Sequence, residues 1–273
     1  MNRVHVSCLA LGALLFGAQH DLCAARESAK RVELAATYRV DFGAFNLGDF
    51  HLTATLEAPK YALKARGKFS FISGLVYRAS GKTETTGKLS KNGAEPSQFE
   101  VIYNGGSKKE ERRFNFVNGA VDQISIVPSK KPSPRSVPVT AEQLENVLDP
   151  LTAAFLSVRA EGSPTYRDIC QRTLPVFDGK QRFDIMLTPK RSERTPDGAP
   201  AGVSGPLAVC RVKFVPIGGY RPDHPGIKFM TETEDIEVWL VSVPRTDFYI
   251  PYRIVLPTAW ANGVATLSEI ELR

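Results

Sequence analysis

The run Phe50-His51-Leu52-Thr53-Ala54-Thr55-Leu56-Glu57 puts an apolar residue at every second position and a polar one between. Successive side chains of a strand point to opposite faces, so this run reads as a strand with one buried and one wet face. The same alternation precedes it at Val32, Leu34, Ala36, Tyr38 and Val40, and follows it at Tyr61, Leu63, Ala65, Phe69 and Phe71. Gly67 falls on the apolar side of the later run, where a bend or a close contact is expected. Thr83 to Leu89 is more polar and reads as a strand facing water or a mixed lumen. Phe99, Val101 and Tyr103 continue the series into the turn-forming Asn104-Gly105-Gly106. Arg113 to Val117 and Val121 to Val127 then flank Asn118-Gly119, a pair that accepts the positive φ angles of a type I′ hairpin turn. This is a meander of neighbours with no βαβ rhythm, which argues against a doubly wound sheet.

Lys130 to Pro138 breaks the series, because Pro132, Pro134 and Pro138 cannot donate to a ladder. Helix signals follow. Thr140 and Gln143 fit a capping box, and Asp149-Pro150 supplies an N-cap followed by proline at the first helical position. Leu151, Phe155 and Val158 share one helical face, so a short core helix over 149–159 is expected to plug the sheet. Strands resume at Phe183, Ile185 and Leu187, from Leu207 to Val215, and in a long run from Ile227 to Val243. Pro189 to Pro206 between them reads as an exposed loop. Ile250, Tyr252, Ile254 and Leu256 form another face, and Asn262-Gly263 turns the chain into a last strand, Val264 to Leu272. A flat sheet of that size would oppose the natural twist. The expected fold is therefore mainly β, one large curved antiparallel sheet (a β-spiral or incomplete barrel) with a short central helix.

Residues 1–25 have the form of an export signal, with Arg3 and His5 ahead of an apolar stretch from Val6 to Ala18. That stretch is well short of the roughly 20 residues a membrane span needs. Cleavage is expected near Ala24 or Ala25, and Cys23 lacks the small preceding residue that lipidation calls for. Residues 30–273 then form one β-rich periplasmic domain. The two remaining cysteines, Cys170 and Cys210, are too far apart for a redox CxxC pair. An oxidising compartment favours a structural disulfide over buried thiols or exchange chemistry. Closing a loop of about 40 residues would stabilise the fold by roughly 4 kcal/mol in the chain-entropy treatment. The net charge of +6 bears on solubility and on weak attraction to anionic surfaces.

Asp149-Pro150-Leu151-Thr152-Ala153 and the block Pro175-Val176-Phe177-Asp178-Gly179-Lys180 with Arg182-Phe183-Asp184 resemble bacterial proteins of DUF3108, a family of unknown function. So do Leu207-Ala208-Val209-Cys210 before Ile217-Gly218-Gly219, and Pro251-Tyr252-Arg253-Ile254. Thr152 stands where serine is common and Phe183 where tyrosine is common, changes that keep polarity or size. The resemblance covers most of the mature chain. It implies a spiral or half-barrel sheet, a periplasmic home and similarity to envelope integrity proteins of Gram-negative bacteria, and it supplies no catalytic residues.

Chemical signatures are sparse. His51 and His224 lie far apart with no HExxH or Cys/His cluster, so no metal site and no cofactor is expected. Gly81-Lys82-Thr83 lacks the first glycine of a phosphate loop, Asp178-Gly179 reads as a turn, and Asp184 with Asp235 is the one carboxylate pair worth testing for hydrolysis. Lys108-Lys109, Arg112-Arg113, Lys130-Lys131 and Lys190-Arg191 with Arg194 read as a solvated charged surface, with acidic lipid or glycan next and nucleic acid excluded by export. No catalytic residue is assigned. The expected function is a non-enzymatic periplasmic envelope-maintenance protein that binds a protein or peptide partner through open sheet edges. A lipid or lipoprotein carrier is the first alternative and an envelope polymer hydrolase the second.

Overall fold

A computed structural model describes residues 31–72, 76–91, 93–106, 108–129, 131–158 and 162–273. The stretch expected to be an export signal and Arg159 lie outside the described residues, as does Lys130. Seven strands follow one another as an antiparallel meander: β1 (Val32–Phe42), β2 (Phe45–Glu57), β3 (Lys60–Ile72), β4 (Val76–Ser90), β5 (Gly93–Gly105), β6 (Lys108–Val117) and β7 (Ala120–Val127). The later strands are β8 (Leu156–Ser157), β9 (Arg172–Phe177), β10 (Arg182–Glu193), β11 (Leu207–Gly218), β12 (Ile236–Ser242), β13 (Phe248–Leu256) and β14 (Gly263–Leu272). β14 pairs back onto β1, with Tyr38 opposite Leu267, and β13 to β9 then run outward in reverse order. The result is one antiparallel sheet with β7 and β9 at its ends and β8 as a spur on β13.

The alternation seen in sequence sets the register. Leu34, Ala36 and Tyr38 of β1, Leu52, Ala54 and Leu56 of β2, and Tyr61, Leu63 and Ala65 of β3 are all buried in one cluster. A one-residue slip would turn all of them to solvent. Asn118 and Gly119 take φ values of 53° and 81°, the hairpin geometry expected of the pair. Gly67 is glycine because a Cβ there would lie 2.8 Å from the Phe69 ring.

The sheet curls until its edges nearly meet, but no ladder closes them, so it is an incomplete barrel. The segment between β7 and the first helix fills the gap as a strap. Asn146 donates its N–H to Gly119 O, Leu148 donates to Pro175 O and accepts from Phe177 N–H. Beside the strap, Arg112 of β6 donates to Asp178 at 2.7 Å, and Lys180 pairs with Glu110. Phe114 of β6 packs on Phe177 of β9 with ring centroids 5.2 Å apart.

Several expectations need correction. The helix expected over 149–159 is α1 (Pro150–Ala154), and the chain leaves it at Phe155 because Leu156 and Ser157 pair with β13 and the Phe155 ring stacks on Phe248 at 4.5 Å. The box at Thr140 is half formed: Thr140 N–H donates to Gln143 Oε1, and only a single 3-10 turn, Glu142–Leu144, follows. Two further helices were not expected. α2 (Tyr166–Cys170) starts at a complete Thr165–Asp168 capping box. α3 (Pro225–Glu232) takes the first third of the supposed strand Ile227 to Val243, with His224 as N-cap and proline next. β10 runs through Pro189 to Glu193 by a register shift, so the exposed loop is shorter than the sequence suggested.

Candidate functional site

α1 sits inside the curled sheet, against β3, β4 and β9. Asp149 holds it there. The residue is fully buried, and its Oδ1 accepts the N–H groups of Leu151 and Thr152 at 2.9 and 3.0 Å. Its Oδ2 accepts the hydroxyls of Thr152 at 2.5 Å and Thr85 of β4 at 3.0 Å. Because the Thr152 hydrogen is spent on Asp149, the Tyr61 hydroxyl of β3 donates to Thr152 Oγ1, at 2.9 Å. Burial pushes the Asp149 carboxyl above its ordinary value, and the donors from Thr152, Thr85 and Leu151 oppose that shift. The Asp-Pro-Leu-Thr block is therefore a buried anchor that locks one end of a short helix to two strands.

That anchor divides α1 into two faces. Leu151 and Phe155 join the cluster formed by β1 to β3. Pro150, Ala153 and Ala154 face the other way and line a pocket of about 320 Å³. The opposite walls come from β9 to β13, with Ile185, Val238 and Ile254 among them, and Met230 of α3 closes one side. Every lining residue has an apolar side chain. Ala154 is exposed and Ile254 is 39% exposed, so the pocket opens to solvent.

The disulfide stands at the border of this region. Cys170, at the end of α2, is bonded to Cys210 of β11 with a Cα–Cα distance of 5.3 Å, and both are fully buried. It clamps α2 over β10 and β11. Leu156, Leu187, Val238 and Leu240 belong both to the cluster around the disulfide and to the pocket lining.

The polar residues singled out in sequence do not converge. His51 is exposed and its Nδ1 lies 3.2 Å from Thr37 Oγ1; His224 caps α3 by accepting from Gly226 N–H. Among the described residues no group of His, Cys, Asp and Glu could hold a metal ion. Gly81-Lys82-Thr83 is part of a continuous strand, β4. Asp184 is held by Arg182 at 2.6 Å, whereas Asp235 is held by Lys190 at 3.2 Å. Each carboxylate is thus taken up by a cation of its own, and the Asp235 side chain is 61% exposed on the surface. The Asp178-Gly179 turn forms with Gly179 at φ 94°, and its Asp178 also binds Arg112.

Several of the supposed surface cations have structural partners, Arg112, Arg113, Lys190 and Arg191 among them. Arg112 is four-fifths buried at the seam, and Arg191 donates to Glu237 at 3.0 Å while lying over the Trp239 ring. Burial would raise the Glu237 carboxyl, but Arg191, Lys190 and the Trp239 indole outweigh it and hold the group at about 2. A different charged surface emerges on the outer face of β2 to β4, where His51, Arg66 and Lys82 line two adjoining concavities of about 420 and 590 Å³.

A model of the family described as "Protein of unknown function (DUF3108)" matches residues 37–268. The chain belongs to the DUF3108 family. The match takes in both the meander and the pocket, so the apolar chamber lies within the DUF3108 fold. The crystal structure of a β-barrel-like protein of domain of unknown function DUF1849, from Brucella abortus, superposes with a TM-score of 0.53 at 9% identity. It covers 89% of the DUF3108 chain and 98% of its own, a likeness of fold. No curated protein matches the sequence. Among the described residues, no helix is long and apolar enough to cross a membrane.

The pocket itself was not legible in sequence. Its walls come from six strands and two helices, and each lining residue taken alone reads as ordinary core.

Proposed function

We propose that this is an exported, non-enzymatic binding protein of the bacterial periplasm that takes the acyl tail of a lipid or lipoprotein, in the service of envelope maintenance. The observation that carries the reading is the pocket beside α1, apolar on every side and open at Ala154 and Ile254. Its 320 Å³ lies at the lower end of the usual range of ligand sites, roughly 300–1,000 Å³, which suits one tail better than a whole diacyl lipid. Each buried methylene contributes about 0.8 kcal/mol, so roughly ten of them supply the free energy of micromolar binding before ordering costs. The signal-like residues 1–25 and the Cys170–Cys210 bridge support an oxidising compartment.

The test is to purify the mature protein without detergent, extract it with organic solvent and identify the lipid by mass spectrometry. A fluorescent fatty acid should bind the emptied protein. Ala154→Trp fills the mouth at an exposed position, and should weaken binding at least tenfold with an unchanged melting temperature. Wild-type protein that carries no lipid and ignores the probe would end this reading.

A protein or peptide partner is the second reading, favoured by β7. Ile124 and Val127 on this end strand are 44% and 57% exposed, and beyond the Ala120–Glu145 bridge its outer edge pairs with no other described strand. An added strand would use that edge. A photo-crosslinker at Ile124 should then capture one reproducible envelope partner in intact cells, and Ile126→Pro, at a position whose N–H faces away from β6, should abolish the capture. Scattered or absent crosslinks would remove the β7 edge as a docking site.

A further inference from the structure

The outer face of β2 to β4 carries an arrangement that a merely solvated surface does not need. The antiparallel register sets His51 opposite Arg66 and Arg66 opposite Lys82, a row of three basic residues across three strands. Lys60 stands opposite Lys88 farther along the same face, with Glu57 opposite it on the other side. Like charges placed directly opposite destabilise a sheet. The intervening row shows how the chain neutralises charge when it does so: Lys64 pairs with Glu84 at 2.8 Å, and Glu100 with Arg113 at 3.2 Å. Those carboxylates are therefore engaged. Asp49 stands opposite Lys68 in the next row and lines the second concavity, yet among the described residues no carboxylate lies within ion-pair distance of Arg66, Lys68 or Lys82.

We propose that this face docks the protein on an anionic lipid surface by seating phosphate headgroups along the His51–Arg66–Lys82 row. Neighbouring strands are about 4.8 Å apart and same-face residues of one strand about 6.6 Å apart, so the cations form a two-dimensional array. Arg66, Lys68 and Lys82 are all exposed, which suits a plane of phosphates rather than one enclosed anion. The two concavities share His51, Arg66, Lys82 and Ile102, giving headgroups room between the side chains. Attraction of this kind grows with each cation near the surface and is screened by salt. The proposal stands apart from the acyl-pocket reading, since a vesicle can be bound with the pocket empty.

Co-sedimentation of the mature protein with vesicles of phosphatidylglycerol and phosphatidylethanolamine tests it, against vesicles of phosphatidylcholine alone. Wild type should bind only the anionic vesicles and release them as salt rises. Arg66→Ser with Lys82→Ser should lower the partition coefficient about tenfold or more. A control of equal charge change, Lys213→Ser with Lys228→Ser, removes exposed lysines on β11 and α3 and should retain most of the binding. Both pairs should melt no lower than wild type, the first because it relieves like-charge opposition. Equal losses in the two variants would reduce the effect to net charge and overturn the proposal, as would failure to bind anionic vesicles. Displacement by millimolar inorganic phosphate at constant ionic strength would mark a small-anion site instead, and would also overturn it. Loss of vesicle binding in the Ser pair with fatty-acid binding intact would separate this face from the pocket.

Discussion

In β2 and β3 the apolar residues keep to one parity: Leu52, Ala54, Leu63 and Ala65 are buried while His51, Thr53, Lys64 and Arg66 are exposed. In β11 and β12 both parities are apolar, with Leu207 and Val241 in the first cluster and Ala208, Cys210, Val238 and Leu240 in the second. A sheet apolar on one face needs cover on one side only. The second half needs cover on both, and α1, β8, α2 and α3 provide the additional layer. Where these short pieces fail to tile the face completely, the pocket remains. The meander thus leaves a charged outer wall, and the second half leaves an apolar chamber.

This contrast can be broken at the seam where the halves meet. Phe114 is fully buried between Phe99, Phe116 and Phe177, with centroids 5.1 to 5.4 Å away. Phe114→Ala should cost about 3–5 kcal/mol in urea unfolding, with one cooperative transition. Two separate transitions would show that the halves are independent. Next in size is the bridge, whose closed loop spans a sequence separation of 40. Cys170→Ser with Cys210→Ser should cost about 4 kcal/mol or somewhat less, and should weaken fatty-acid binding as α2 loosens over the pocket. Stability lost with affinity unchanged would uncouple the bridge from the pocket.

The smallest effects sharpen the contrast through two carboxylates of opposite sign. Glu237 is held below its ordinary value, so its contribution to stability is present above pH 4.5 and is lost as pH falls toward about 2. Glu237→Gln should flatten the acid limb of a plot of melting temperature against pH. Asp149 is raised, so its contribution is full below its ordinary value of 3.8 and is lost as pH rises through the folded value. Asp149→Asn, which keeps an N-capping oxygen, should remove that decline while leaving the acid limb in place. Identical pH profiles for wild type and either variant would refute the assignment for that residue.

Much of the architecture was legible because it depends on local period. The alternation from Val32 to Leu63, the Asn118-Gly119 turn and the Asp149-Pro150 helix start each state their structure within a few residues. The errors came where distant pairing decided the outcome. Phe155 and Leu156 continue a helical pattern in sequence, but β13 offers them a strand and a ring to stack on. The Thr165–Asp168 box and the His224-Pro225 start are local signals too, but each opens a helix of only 5 or 8 residues, too short to establish a helical period. The basic row needed a different kind of information. His51, Arg66 and Lys82 are about 15 residues apart in sequence, and only the register places them side by side.

The strap between β7 and α1 has a consequence for the girth of the molecule. A fully hydrogen-bonded barrel has a circumference set by its ladders, and widening it means breaking a whole row of bonds. Here the strap is held to its neighbours by a handful of backbone hydrogen bonds, those of Val137 with Gly219 and Tyr220 and those at Asn146, Leu148 and Phe177, with ion pairs alongside. Those few contacts make the strap an expansion joint in character, since parting it would break far fewer bonds than any ladder of the sheet holds.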